Sequence, residues 1–302
     1  MRRLLLVPLL AAFACAGPSR ELVPEPAPLS YRRVYSVGER YRYELRRNFF
    51  TNGALRDIAV ATSAHEVVGP APLRERIAFE RLTVNTDGRE EDRTSAFARF
   101  SPYLVSIAPD APKDGLLLPS LAGLESPATG MVTDLHTFLV AVSPQAGVEK
   151  LHRVGDRSEG SEPRVGDWSN AGSVPLGQDC VQISLRLVDL DDETATIETS
   201  FEPPAARCLA LRAPWMARPV IAGAVPNNFQ QVSRGADGLM AMWGQERFVV
   251  RATVQRRDGK ILRATMDNVL TLQVRTGCDD ELASCAGEVP LSLRRTLTLT
   301  AR

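Results

Sequence analysis

The 302-residue chain has no excess of charge of either sign, since 36 basic residues face 36 acidic ones. Without a clustered surplus of Lys and Arg it cannot neutralise a phosphate backbone, which argues against nucleic-acid binding. Catalytic signatures are missing too. G-x-S-x-G, G-x-G-x-x-G and G-x-x-x-x-G-K do not occur, so neither a nucleophile elbow nor a phosphate-cradling loop is indicated. Only three histidines are present, His65, His136 and His152. None belongs to an H-E-x-x-H pair or neighbours a cysteine, so each reads as an ordinary polar residue rather than a metal ligand. C-x-x-C is also absent, which disfavours a zinc site and dithiol redox chemistry. No cofactor and no metal are expected. Beyond Phe13 no apolar run reaches the roughly 20 residues that span a bilayer.

What is present begins at the N-terminus. Arg2 and Arg3 precede an almost unbroken apolar run, Leu4 to Phe13, and Ala14-Cys15-Ala16-Gly17 forms a small-residue exit. Residues 1–14 therefore read as a signal peptide, too short to be a membrane span. Ala12-Phe13-Ala14-Cys15 resembles the lipobox of bacterial lipoproteins, although Ala12 and Phe13 depart from the usual Leu and small residue. The resemblance implies lipidation of Cys15, a membrane partner reached through that lipid, and a place in the bacterial cell envelope. In that family a non-acidic residue after the cysteine, here Ala16, implies the outer membrane. Ala14-Cys15-Ala16 also fits an A-x-A cleavage site that would release a periplasmic or secreted protein. Residues 15–30 follow as a Pro-rich tether, with four prolines between Gly17 and Leu29 and no apolar periodicity.

Four further cysteines suit an exported chain with disulfides. Cys278 and Cys285 bracket the polar loop DDELAS and are expected to bridge a long hairpin. Cys180 and Cys208 then pair by elimination.

Residues 31–302 read as one β-rich domain. Tyr41, Tyr43 and Leu45 alternate with polar residues, Asn52-Gly53 follows, and Ile58, Val60 and Thr62 alternate on the return, which is a hairpin signal. Phe248 to Val254, Asp258-Gly259 and Ile261 to Met266 repeat that grammar. So do Val181 to Leu187, the acidic turn Asp189, Asp191, Asp192 and Glu193, and Ala195 to Thr199. Ile77 to Val84 and Leu291 to Leu299 add strands. The fold class is mainly β: a large curved antiparallel sheet, half-barrel or two-lobed, with one short central helix. That helix is predicted over 131–142, with Thr133 or Asp134 as its cap and Leu135, Phe138, Leu139 and Val142 turned to the sheet. A repeated V-G-acidic motif at Val37, Val154 and Val165 suggests two related halves, 31–125 and 164–302. The layout resembles the curved half-barrels of periplasmic lipoprotein-carrier proteins.

The segment from Ala213 to Phe229 is apolar, carries three prolines and fits neither period. Trp215, Met216 and Phe229 in it, with Trp243 nearby, are candidate contacts for an apolar ligand under a loop acting as a lip. The reading is a non-catalytic binding or structural module for an apolar small molecule or an envelope protein. Its rival is a hydrolase built on dispersed carboxylates or a Ser nucleophile, which would need titratable groups converging in a pocket.

Overall fold

The predicted alternation becomes a single antiparallel sheet. A computed structural model describes residues 33–69, 73–107, 121, 123–141, 148–162, 181–202, 211–223, 226–235 and 237–302. Cys15, Cys180, Cys208, the signal peptide, the tether and the Val165 motif lie outside the described residues. The first flank comprises β1 (Arg40–Thr51), β2 (Ala54–Val68), β3 (Arg74–Thr86), β4 (Arg89–Asp92) and β5 (Tyr103–Ser106). The second comprises β6 (Arg157–Glu162), β7 (Val181–Leu190), β8 (Thr194–Glu202), β9 (Phe229–Gly235), β10 (Gly238–Gln255), β11 (Ile261–Cys278) and β12 (Gly287–Ala301). Their order is β4-β3-β2-β1-β12-β11-β10-β8-β7-β6, with β5 also on β3 and β9 also on β10. The sheet stays open, with β4 and β5 at one edge and β6 at the other. A twisted sheet this wide curls, which leaves one face hollow.

Turn chemistry sets the hairpins. Asn52 and Gly53 both adopt positive φ, 49° and 79°, as a two-residue turn matched to strand twist requires. At the β7–β8 turn the Asp191 carboxylate accepts from the Glu193 and Thr194 amides at 2.8 and 2.6 Å, and from the Thr194 hydroxyl at 2.7 Å. Those bonds, the Thr194 hydroxyl's first, hold its carboxyl below the usual range. The acidic group is thus a hairpin closure.

Between β5 and β6 the chain crosses from one sheet edge to the other through α1 (Ser126–Ala141). The helix begins five residues before the predicted start, so Thr133 and Asp134 lie well inside it and cap nothing. Pro127 marks the true start, since the first turn needs no N–H donor there. Met131, Val132, Leu135 and Phe138 are buried in the main core, beside Tyr43 and Leu45 of β1, Ile77 and Leu82 of β3, and Leu187 of β7. Leu139 packs partly against that core, and Val142 lies outside the described residues. Strand β6 arises before the second predicted half, and β10 starts ten residues ahead of Phe248. No described helix is long and apolar enough to cross a membrane.

Cys278 and Cys285 form the expected bridge, with Cα atoms 4.0 Å apart. In the loop-entropy account so short a ring contributes about 2–3 kcal/mol. The variant C278A/C285A is expected to melt at a correspondingly lower temperature than wild type under non-reducing conditions; an unchanged midpoint would show the loop is held by packing alone.

Candidate functional site

One face of α1 packs into the core, and the other looks into a hollow. Thr129, Thr133 and Thr137 recur at four-residue spacing, and with Asp134, Val140 and Ala141 they form the roof of a partly open cavity of about 400 Å³. Its floor is the inner face of the sheet. Phe49 of β1, Ile183 of β7, Phe201 of β8, Phe229 of β9, Met242 and Phe248 of β10, Met266, Leu270 and Leu272 of β11, and Leu293 of β12 supply apolar wall. Phe201 and Phe248 stack at 5.2 Å. The threonine hydroxyls at 133 and 137 donate to helix carbonyls four residues back, at 3.1 and 3.0 Å, which satisfies their donors within the helix.

The charged groups of the lining, Asp134, Glu246 and Arg295, are joined in one hydrogen-bonded chain. Arg295 donates from Nη1 to Asp134 Oδ1 at 2.8 Å, and from Nε and Nη2 to Asn268 Oδ1 at 2.8 and 2.7 Å. Asn268, fully buried, donates from Nδ2 to Glu246 Oε1 at 2.9 Å. Register makes this chain possible, because Phe248, Asn268 and Arg295 lie opposite one another across β10, β11 and β12. Asp134 is 1% exposed, and its Oδ2 has no hydrogen-bond partner. Burial pushes its carboxyl above the usual range, outweighing the pull of the Arg295 and Arg47 guanidiniums. Behind it, Arg47 binds Asp57 Oδ1 at 3.0 Å and packs against Gly130, where a Cβ would stand 2.0 Å from Arg47 Nη1. The floor is completed where β8 and β9 leave a gap along β10. The buried Asn228 side chain fills it, accepting from the Glu246 amide at 2.8 Å and donating to the Glu246 carbonyl at 2.9 Å.

The structure separates the four candidate contacts. Phe229 lines the cavity, as does Met242. Trp215, Met216 and Trp243 do not. They form a second core with Ala213, Ala241, Cys278 and Leu282 on the outer face of the sheet. Trp243 follows Met242 along β10, and successive strand residues point to opposite faces. Trp215 and Trp243 meet edge to face at 4.7 Å, Arg275 lies 4.2 Å over the Trp215 ring, and Trp215 Nε1 donates to the Leu282 carbonyl at 2.9 Å. The expected lip is therefore a clasp over the outside of the sheet. Gly244 beside it is obligatory, since its φ is +155° and a Cβ would fall 2.1 Å from the Thr271 carbonyl oxygen.

A nucleophile-like arrangement also exists at the other flank. Ser63 Oγ lies 2.9 Å from His65 Nε2, and His65 Nδ1 lies 2.7 Å from Glu75 Oε1. Tyr41 donates to the same Glu75 oxygen. Ser63, His65 and Glu75 are each 2% exposed or less, and Tyr41 and Tyr43 close over the imidazole at 4.9 and 5.1 Å. A depression of about 430 Å³ borders His65, Tyr41 and four arginines, but Ser63 does not line it. The trio is a satisfied polar network inside the core.

Sequence reading missed Asp134, Glu246, Asn268 and Arg295 as site residues. A signal was available: Arg295 interrupts the inward leucines 291, 293, 297 and 299, and Asn268 likewise sits between Met266 and Leu270.

No model of a known protein family matches the chain, and no curated protein matches it. Among solved structures, one concerning lipid–protein interactions in lipovitellin aligns with 89% of this chain and 25% of its own, at 10% identity and TM-score 0.45, so this chain spans about a quarter of that one.

Proposed function

We propose that the protein is a non-catalytic binding module of the bacterial envelope that holds an apolar chain between α1 and the hollow face of its sheet. The cavity carries this reading: its volume lies within the range of small-molecule sites, its walls are largely aliphatic and aromatic, and its charged groups are tied together in one cluster. Apolar wall stabilises a bound chain by about 0.8 kcal/mol per buried methylene. The signal-like N-terminus supports attachment through lipidated Cys15, with the Pro-rich segment as spacer, at the outer membrane; release after Ala14-Cys15-Ala16 cleavage is the competing fate. Mass spectrometry of the mature N-terminus separates them, because a chain starting at Gly17 without lipid overturns the anchor.

For the binding reading, the lipid-free protein is expected to enhance the fluorescence of the neutral dye N-phenyl-1-naphthylamine and to release it when a long-chain ester is added. A protein that neither takes up the dye nor yields it to any chain would overturn the proposal. The buried position of Ser63 keeps that hydroxyl away from any ligand in the neighbouring depression. Ser63-dependent hydrolysis of nitrophenyl esters would reverse that part.

A further inference from the structure

The chain is neutral as a whole, but the fold does not spread its charges evenly. On the outer face of the sheet, register places two rows side by side. Arg40 of β1 lies opposite Glu66 of β2, which lies opposite Arg76 of β3, and in the next row Arg42 lies opposite Ala64, which lies opposite Ala78. Arg302 follows β12 and donates its amide to the Arg42 carbonyl at 3.0 Å. All of these residues line the depression of about 430 Å³. Ala64 and Ala78 are the smallest side chains in the rows and form its floor, and the four guanidinium-bearing side chains form its rim. Tyr41 and His65 border it too, but their rings are packed in the core.

The rim is tied down without being used up. Arg40 donates from Nε and Nη2 to Glu66 Oε1 at 3.0 and 2.7 Å, and Arg76 donates from Nη1 to Glu66 Oε2 at 3.1 Å. The one carboxylate in the lining therefore has each oxygen on a guanidinium. Arg42 binds Glu80 at 3.1 Å, and Arg302 binds Glu44 at 2.6 Å. An arginine carries five N–H donors, and these bonds engage only one or two on each. The four side chains remain between 52 and 77% exposed, so donors stay within reach of a solute. Arg46, Arg81 and Arg263 stand on the same face, opposite Thr298, Thr62 and Thr300. Seven arginines thus meet three glutamates, a surplus of four positive charges, and a carboxylate on Arg302 itself would lower it to three.

We propose that this depression binds a phosphate-bearing anion, whose oxygens accept from the spare N–H groups of Arg40, Arg42, Arg76 and Arg302 above the floor of Ala64 and Ala78. Guanidiniums suit phosphate because their planar fork presents parallel donors to two oxygens at once. The small floor matters as much as the charge. It lets the anion settle among the donors, whereas a bulkier floor would hold it off and leave only a diffuse field that salt screens. The cavity under α1 lies on the opposite face of the sheet, so the two sites stand or fall separately. Free phosphate compounds and the headgroups of anionic lipids offer the same chemistry to the rim.

Two assays on the whole chain at low salt test the proposal and separate the sources. Titration calorimetry with inorganic pyrophosphate reads a soluble anion, and co-sedimentation with phosphatidylglycerol–phosphatidylcholine vesicles, against phosphatidylcholine alone, reads a lipid headgroup. Saturable binding is expected in at least one of them. In that assay Ala64→Ile, which fills the floor without touching a charge, and Arg42→Gln are each expected to weaken binding at least about tenfold, the scale of a lost charge-assisted hydrogen bond. Arg234→Gln makes the same change of charge at an exposed ion pair with Asp280, outside the depression, and is expected to bind as wild type does. Isoleucine suits a half-buried strand position, so Ala64→Ile serves if Arg42→Gln does not fold. Binding in neither assay, full binding by Ala64→Ile, or an equal loss in Arg234→Gln overturns the proposal.

Discussion

Thr133→Trp is expected to weaken apolar-chain binding at least tenfold while leaving the protein folded. Thr133 stands mid-helix in the cavity roof, half-buried, between Thr129 and Thr137. An indole there occupies room that a chain would otherwise fill. Excluding two methylenes costs about 1.6 kcal/mol at about 0.8 each, more than a factor of ten. The core face of α1, carried by Met131, Leu135 and Phe138, is untouched. Thr133→Val, nearly the same shape, is expected to bind as wild type does. Dye titration gives the affinity and circular dichroism the fold; a tryptophan variant with wild-type affinity would place the ligand elsewhere.

Trp243→Ala is the converse case, with a large loss of stability and no loss of binding. Trp243 is fully buried in the outer-face cluster, against Trp215 and beneath Arg275. Emptying such a site costs about 3–5 kcal/mol, on the order of 10 °C in the midpoint for a chain of this size. At a temperature where the variant remains folded, its dye affinity is expected to match wild type, because the β10 backbone separates Trp243 from the cavity. Trp243→Phe is expected to lose far less, since the indole N–H it removes has no partner in the fold. A Trp243→Ala protein that is folded but cannot bind would put this side chain in the ligand site after all.

These two substitutions show where sequence reading reached its limit. Met242 and Trp243 are adjacent, both large and both apolar, so period-two alternation assigns neither to the inner face. Register decides, and it is set by the pairing of β10 with β11 over most of their length. Only then does Met242 fall beside Leu270 and Leu272, and Trp243 beneath the Pro-rich segment. The charged cluster of the cavity was less visible still. Asp134 reaches Arg295 across 161 residues of sequence, and no local pattern encodes such a contact. The helix is legible through Leu135 and Phe138, but its first turn is not, because Thr129 and Gly130 interrupt the apolar period.

By itself the sequence determined what local physics determines. Alternating side chains and turns such as Asn52-Gly53 specified the hairpins, three-and-four spacing specified a single amphipathic helix, and the Cys278–Cys285 spacing specified a bridge that the fold contains. The tertiary structure alone decided that α1 joins opposite edges of one open sheet, and that the hollow beneath it is lined by Arg295, Asp134 and Glu246, linked through the buried Asn268. The reason is range. Turn and periodicity preferences act over a few residues, whereas a cavity forms from side chains that meet only once distant strands have settled into register.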